Sequence, residues 1–177
     1  MKLPESIETS RLRLRKPSLS DADAIFNDYA QDEEVVRYLV WRTHKDIAET
    51  RVFLERCIQA WEGRSNVPYA IERKEDGRLL GMIEAMMGPH SAGAGYVIAR
   101  AHWGQGYMPE ALKALNSLVL AQPEIYRMEI LCDVDNLASA RVMEKVGMQR
   151  EGLLRRRSIH PAIGPEPRDC YLYALVR

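Results

Sequence analysis

Apolar and charged residues alternate through Glu8-Thr9-Ser10-Arg11-Leu12-Arg13-Leu14-Arg15-Lys16, the period of a half-buried strand, and Pro17 ends the run. Ser20 can cap a helix beginning at Asp21, with acids in its first turn. Ala22, Ile25, Phe26 and Tyr29 give that helix an apolar side. Val35, Val36, Tyr38, Leu39, Val40 and Trp41 then form an apolar knot around Arg37. Ile47, Phe53, Leu54, Ile58 and Trp61 recur at helical spacing and predict a second helix over about 46–61, broken by Gly63 and the polar Arg64-Ser65-Asn66. Strands follow over 68–73 and 79–87, joined by the turn Glu75-Asp76-Gly77. Residues 88–93 read as a loop and 94–99 as a strand. Ala111, Leu112, Leu115, Leu118 and Val119 share one face of a helix over about 109–120, closed by Pro123. The remaining predictions are a strand over 127–133, a helix over 136–146 ended by Gly147, and strands over about 148–159 and 169–176 around a Pro- and Gly-rich loop, 161–167.

The order β, α, α, β, β, β, α, β, α, β, β predicts an α/β (α+β) fold with helices on both sides of a mixed sheet. At 177 residues, with no linker or repeat, the chain reads as one domain, 1–177. Its 25 basic and 25 acidic residues cancel, which argues against a general nucleic-acid surface. The alternating Arg11, Arg13 and Arg15 read as the solvated face of their strand. Cys57, Cys132 and Cys170 are widely spaced, with no metal-ligand or disulfide pattern, and Cys132 and Cys170 lie in apolar runs as core thiols. No run reaches membrane-spanning length and no signal-peptide core is present, so a cytoplasmic protein is expected, without metal.

The chemistry concentrates in two stretches. Trp103-Gly104-Gln105-Gly106-Tyr107-Met108-Pro109-Glu110 lies between the strand 94–99 and a helix whose first position is given to Pro109. A glycine turn running into a helix N-terminus gathers backbone N–H groups and the positive end of the dipole at one spot, which suits a phosphate or pyrophosphate; the plainer alternative is a tight turn alone. In the second stretch, Asn136 and Ser139 stand three apart at the start of a helix and share a face, either toward a ligand or simply as a cap and its neighbour.

Together these stretches resemble the GNAT superfamily of N-acetyltransferases, and within it the RimJ/RimL-type branch. The resemblance runs over nearly the whole chain. It rests on Ser10-Arg11-Leu12-Arg13-Leu14-Arg15, Gly95-Tyr96-Val97-Ile98, the loop from Trp103 to Met108, and Asn136-x-x-Ser139 with Glu144-Lys145-x-Gly147. It implies a mixed six- to seven-stranded sheet, about four helices, and a splayed strand that binds acetyl-CoA as co-substrate. Backbone groups of Tyr96, Val97 and Ile98 would pair with the pantetheine arm, and the Ile98 N–H would stabilise the oxyanion. The N–H groups of Gly104, Gln105, Gly106, Tyr107 and Met108 would hold the pyrophosphate. Asn136 would bond the pantetheine, and Ser139 would sit by the leaving sulfur. The sequence departs from the pattern in three places. Trp103 replaces the usual Gln or Arg, Met108 a small residue, and Met143 the tyrosine general acid, which leaves Ser139 or solvent to protonate the thiolate.

Direct attack by a neutral amine, as the resemblance implies, needs a base. Glu84 is the only carboxylate inside the strand 79–87, between Ile83 and Ala85, and is the first choice; His90 and His160 are loop alternatives. Arg37, Tyr38 and Trp41 fall where the superfamily builds part of its acceptor pocket. The expected activity is acyl transfer, of groups other than aminoacyl groups, to a primary amine, first a protein or peptide N-terminus and otherwise a small-molecule amine. A non-catalytic acetyl-CoA sensor is the rival reading. A homodimer through the last strands is left open; no nucleic acid and no membrane partner is expected.

Overall fold

A computed structural model describes residues 3–63 and 66–177, so Arg64 and Ser65, read from the sequence as part of a helix break, lie outside the described residues. The strand expected over 8–16 survives only as Leu12–Arg15 and, before a turn, as Glu8, the last residue of a shorter strand. β1 (Ser6–Glu8) and β2 (Leu12–Arg15) pair antiparallel about a turn at 9–11. In β2 the alternation does what period two requires: Leu12 and Leu14 are fully buried and the arginines point out. Those arginines are not simply solvated. Arg13 reaches Glu8 and Glu72, and Arg15 joins Glu72 to the buried Asp21 at 2.7 Å. A helical stretch follows, with α1 (Ala22–Ile25) relaxing into one π turn over 26–30, then the short α2 (Glu33–Val36) capped by Asp32, and α3 (Ile47–Gly63). Part of the apolar knot is therefore helix α2.

β3 (Asn66–Arg73), β4 (Leu79–Met87) and β5 (Ser91–Ile98) form a meander. The loop expected at 88–93 shrinks to residues 88–90, because the Gly88 N–H closes directly on the Ser91 carbonyl at 2.9 Å. After a 3₁₀ turn over 100–102 come α4 (Tyr107–Leu120), β6 (Arg127–Asp133), α5 (Leu137–Lys145), β7 (Gln149–Ser158) and β8 (Arg168–Val176). Pro109 is the third residue of α4 rather than the first; its missing N–H still costs nothing, since first-turn donors have no intrahelical partner.

Among the described residues eight strands make one sheet ordered β1-β2-β3-β4-β5-β6-β8-β7, with five helices, one strand and one helix more than expected. Every pairing is antiparallel except β5 with β6. Two cores result. One lies between the sheet and α4 with α5, around Leu112, Leu115 and Ile83. The other lies on the opposite face beneath α1 and α3, around Ile25, Tyr29, Leu54 and Met82. No helix among the described residues is long and apolar enough to cross a membrane. Among them, too, no group of three His, Cys, Asp or Glu could hold a metal ion.

Candidate active site

β5 and β6 stay in register only from Ser91–Gly93 against Arg127–Glu129, and beyond Gly93 they part. The gap exposes main chain. In an antiparallel pair, hydrogen-bonded and non-bonded residue pairs alternate. The Gly88/Ser91 and Leu80/Ala99 pairs are bonded, at 2.9 Å each, and the β4–β5 register is unbroken between them. Gly95 and Val97 therefore turn their N–H and carbonyl groups to β4, while Tyr96 and Ile98 turn theirs into the gap. Of the three residues expected to offer backbone there, Val97 does not. The Ile98 carbonyl is already taken by the Trp103 indole N–H at 2.9 Å, which leaves its N–H.

The glycine turn meets α4 at the end of this gap. Gly104 and Gly106 have φ of 75° and 79°, which L side chains adopt only under strain, and Gly106 is the N-cap residue. The side chains of Tyr107 and Met108 are buried in the α4 core, so Met108 does not crowd the turn. Sequence reasoning missed what holds the turn from outside. Glu110 accepts hydrogen bonds from the Thr9 hydroxyl at 2.6 Å, the Ser10 hydroxyl at 3.0 Å, the Arg11 amide at 2.9 Å and Arg11 Nε at 2.7 Å. Arg11 also donates to the Gln105 carbonyl at 3.0 Å and lies 4.4 Å over the Tyr107 ring. Burial opposes the charge on Glu110, yet these donors hold its carboxyl down at about 2.

On the far side of the gap, Asn136 is the N-cap of α5, its Oδ1 accepting the Ser139 amide at 3.1 Å. The turn that aims it is fixed by Asp133, which is fully buried. Its carbonyl takes the Asn136 N–H, its Oδ1 takes the Asp135 N–H, and its carboxylate receives Arg168 at 2.6 and 3.1 Å. Burial again opposes the charge, but Arg168 and the Asp135 amide keep the Asp133 carboxyl below its ordinary range. Across the gap the Tyr96 and Ser139 hydroxyls meet at 2.7 Å, a contact between β5 and α5. Burial pushes the Tyr96 phenol well up, so it stays protonated. Met143 is wholly buried in the core.

Glu84 and Gly95 face each other across β4 and β5, on the α3 side of the sheet. A Cβ on Gly95 would stand 3.3 Å from Glu84 Oε1, so the glycine is what lets the carboxylate lie down on β5. Glu84 has no hydrogen bond or ion pair among the described residues, and burial raises its pKa above the ordinary 4.5. One cavity of about 1360 Å³ runs from α1 and α3, through the gap, to α4 and α5. It brings together Glu84, Tyr96, Val97, Ile98, Gly104, Gly106, Asn136 and Ser139 with Arg37, Tyr38 and Trp41; Gln105 lies outside the lining. His90 is exposed and outside it. His160, the other loop alternative, is buried on the wall, edge-on to Tyr38 at 6.2 Å and 3.4 Å from Asp133. Cys132 and Cys170 are buried as expected, and burial pushes the Cys132 thiol up to about 12.

The acetyltransferase (GNAT) domain family matches residues 11–149. The uncharacterised N-acetyltransferase p20 of Bacillus licheniformis is 31% identical over 157 residues, spanning 85% of this chain and 86% of that protein. Among solved structures, the GNAT-family acetyltransferase from Bacillus anthracis superposes with a TM-score of 0.83 at 28% identity, over 97% of this chain and 98% of that one. RimL, a ribosomal L7/L12 α-N-protein acetyltransferase in complex with coenzyme A, gives 0.85 at 23% identity over 97% and 98%, a likeness of fold alone.

Proposed function

This chain belongs to the GNAT acetyltransferase family, and from that premise we propose that it transfers the acetyl group of acetyl-CoA directly to a primary amine, in the first instance a peptide N-terminus. The observation that carries the reading is the parted β5–β6 pair, with a lone carboxylate on one face and paired hydroxyls on the other.

The residues fit the co-substrate. Gly104 and Gly106 bend the main chain so that successive N–H groups converge, and the fourteen-residue α4 adds the positive end of its dipole. The pyrophosphate binds there, through N–H groups from Gly104 to Met108. Arg11 and Glu110 lock the turn from behind, so the donors need no reordering when phosphate arrives. The gap-facing groups of Tyr96 receive the pantetheine arm as an added strand. Asn136, whose Oδ1 is spent on the cap, still has its Nδ2 to donate.

Acetyl-CoA supplies an activated thioester, and the chain's own groups do the rest. The amine enters on the α3 face and gives its proton to Glu84, directly or through a water, as the N–C bond forms. The Ile98 N–H is aimed into the gap, where negative charge grows on the carbonyl oxygen. The C–S bond breaks toward the opposite face. There the Tyr96 and Ser139 hydroxyls share a hydrogen bond that either can donate; with Tyr96 as donor, the serine proton is free to point at the departing sulfur. Tyr96 thus positions Ser139 in a fold where Met143 can donate nothing. Cys132 stays a neutral thiol and takes no part.

Free-thiol release from acetyl-CoA, measured against peptides beginning Ala, Ser and Thr beside small amines, tests the reading. Release that depends on the acceptor supports it. Tight acetyl-CoA binding with no release for any amine overturns it in favour of a sensor.

A further inference from the structure

The half of the cavity on the α3 face is walled by Val35, Trp41, Phe53, Cys57 and Met82, with Glu84 against the β5 main chain. Trp41, His44 and Phe53 form a triangle of rings, with centroids 5.1, 6.5 and 6.1 Å apart. None of these groups brings a charge. His44 is tied through Nδ1 to the Thr50 hydroxyl at 2.8 Å, and burial lowers its pKa, so it stays neutral. Burial pushes the Cys57 thiol up to about 12. Arg37 stays at the rim, half exposed, lying over the Tyr38 ring and beside Glu34. Glu34, Arg37 and Arg157 also line the cavity but are exposed, and its remaining charged groups lie on β6, on α5 and in the turn between them, across the gap; among the described residues Glu84 is the one charged side chain set between these walls.

We infer that the acceptor is a primary amine whose neighbouring group is uncharged and apolar, preferably aromatic, seated against Trp41 and Phe53 while its amine faces Glu84. The inference rests on the reading of Glu84 as the group that receives the amine. An acceptor carboxylate beside the amine would enter a chamber that has no cation and already holds a carboxylate. A second ammonium would be stranded among rings, because the single carboxylate is engaged. An apolar group loses nothing by entering and gains contact with ring faces and edges. The Arg37 cation is confined to the mouth. The shared chemistry, an apolar primary amine, comes from two sources: a peptide beginning with an apolar residue, or a free arylalkylamine.

The test measures kcat/KM by thiol release, and binding by calorimetry in the presence of coenzyme A. Its acceptors are 2-phenylethylamine, spermidine and short peptides beginning Phe, Ser and Asp. The Phe peptide or 2-phenylethylamine should exceed the Ser peptide by about 10-fold and the Asp peptide and spermidine by about 100-fold, the scale on which apolar pockets discriminate. Which of the two leads identifies the source, and either supports the inference. Trp41→Ala should lower the Phe-to-Ser ratio by about 10-fold while acetyl-CoA binding holds. Phe53→Leu, a milder change, should lower it by a few-fold and serves if the first variant does not fold. Preference for the Asp peptide or spermidine, or a ratio that neither variant moves, overturns the inference. Binding of 2-phenylethylamine weakened by Trp41→Ala, with no thiol released, would uphold the inference and sink the transfer reading. The absence of both binding and turnover of the apolar amines would overturn the inference itself.

Discussion

The turn at the head of α4 and the chamber beneath α3 open into one cavity, yet they are built on opposite terms. In the turn the side chains that hold the main chain are fully engaged: Glu110 accepts four hydrogen bonds, and Arg11 spans Glu110, the Gln105 carbonyl and the Tyr107 ring. In the chamber Glu84 has no partner, and the walls are rings and aliphatic side chains. A region that must present a fixed set of donors to a constant phosphate gains by being over-determined. On the proposed reading of Glu84 as base, a chamber that takes a proton gains by leaving its carboxylate uncompensated, since burial without a cation raises the pKa toward working pH.

The contrast can be broken in order of expected effect. Glu84→Gln should lower kcat/KM by about 10²- to 10⁴-fold, the usual weight of a positioned base, with acetyl-CoA affinity intact by calorimetry. A fall in affinity of the same size would put Glu84 on the wrong side of the comparison. Gly106→Ala should do the reverse. Its φ of 79° costs a side chain about 1–2 kcal/mol, so acetyl-CoA binding should weaken by roughly 5- to 30-fold with the acceptor KM unmoved. Tyr96→Phe should cut kcat by roughly 10-fold, less than loss of a full acid–base catalyst, and should add nothing to Ser139→Ala, since both changes remove one device. Full additivity would mean the two hydroxyls act apart. The smallest effect belongs to Glu110→Gln. Losing charge-assisted hydrogen bonds there should cost about 2 kcal/mol, a fall in Tm of roughly 4–8 °C, and a few-fold loss of acetyl-CoA affinity. Glu110 also sets a sign. Its folded pKa of about 2 lies below the ordinary 4.5, so its contribution to stability is full above 4.5 and fades as pH falls toward 2. The Gln variant should lose that part of the acid limb.

The same contrast decides what the sequence reveals. The turn announces itself because glycines at positive φ, a following helix pattern and the Asn136–Ser139 spacing are local signals, and the core faces of α3 and α4 follow from period alone. The clamp on the turn is invisible, because Arg11 and Glu110 are 99 residues apart and the arginines read equally well as a solvated face. β1 does not read as a strand of its own for a related reason: the break at 9–11 is made by Glu110 gathering donors from Thr9, Ser10 and Arg11. Glu84 stood out as a lone carboxylate in an apolar strand, but its exposure depended on Gly95 across the ladder. His160 reads only as a loop residue, because nothing local says that this loop will fold back onto Asp133 and Tyr38.

The claim that Glu84 takes the amine's proton on one face while sulfur leaves on the other is tested most directly by the pH dependence of kcat/KM for thiol release, in the wild type and in Glu84→Gln. The account predicts two ascending limbs in the wild type. One belongs to a carboxylate above its ordinary 4.5, the other to the acceptor's own amine. The variant should keep only the amine limb, on a lower plateau. A variant profile that overlays the wild type would contradict it.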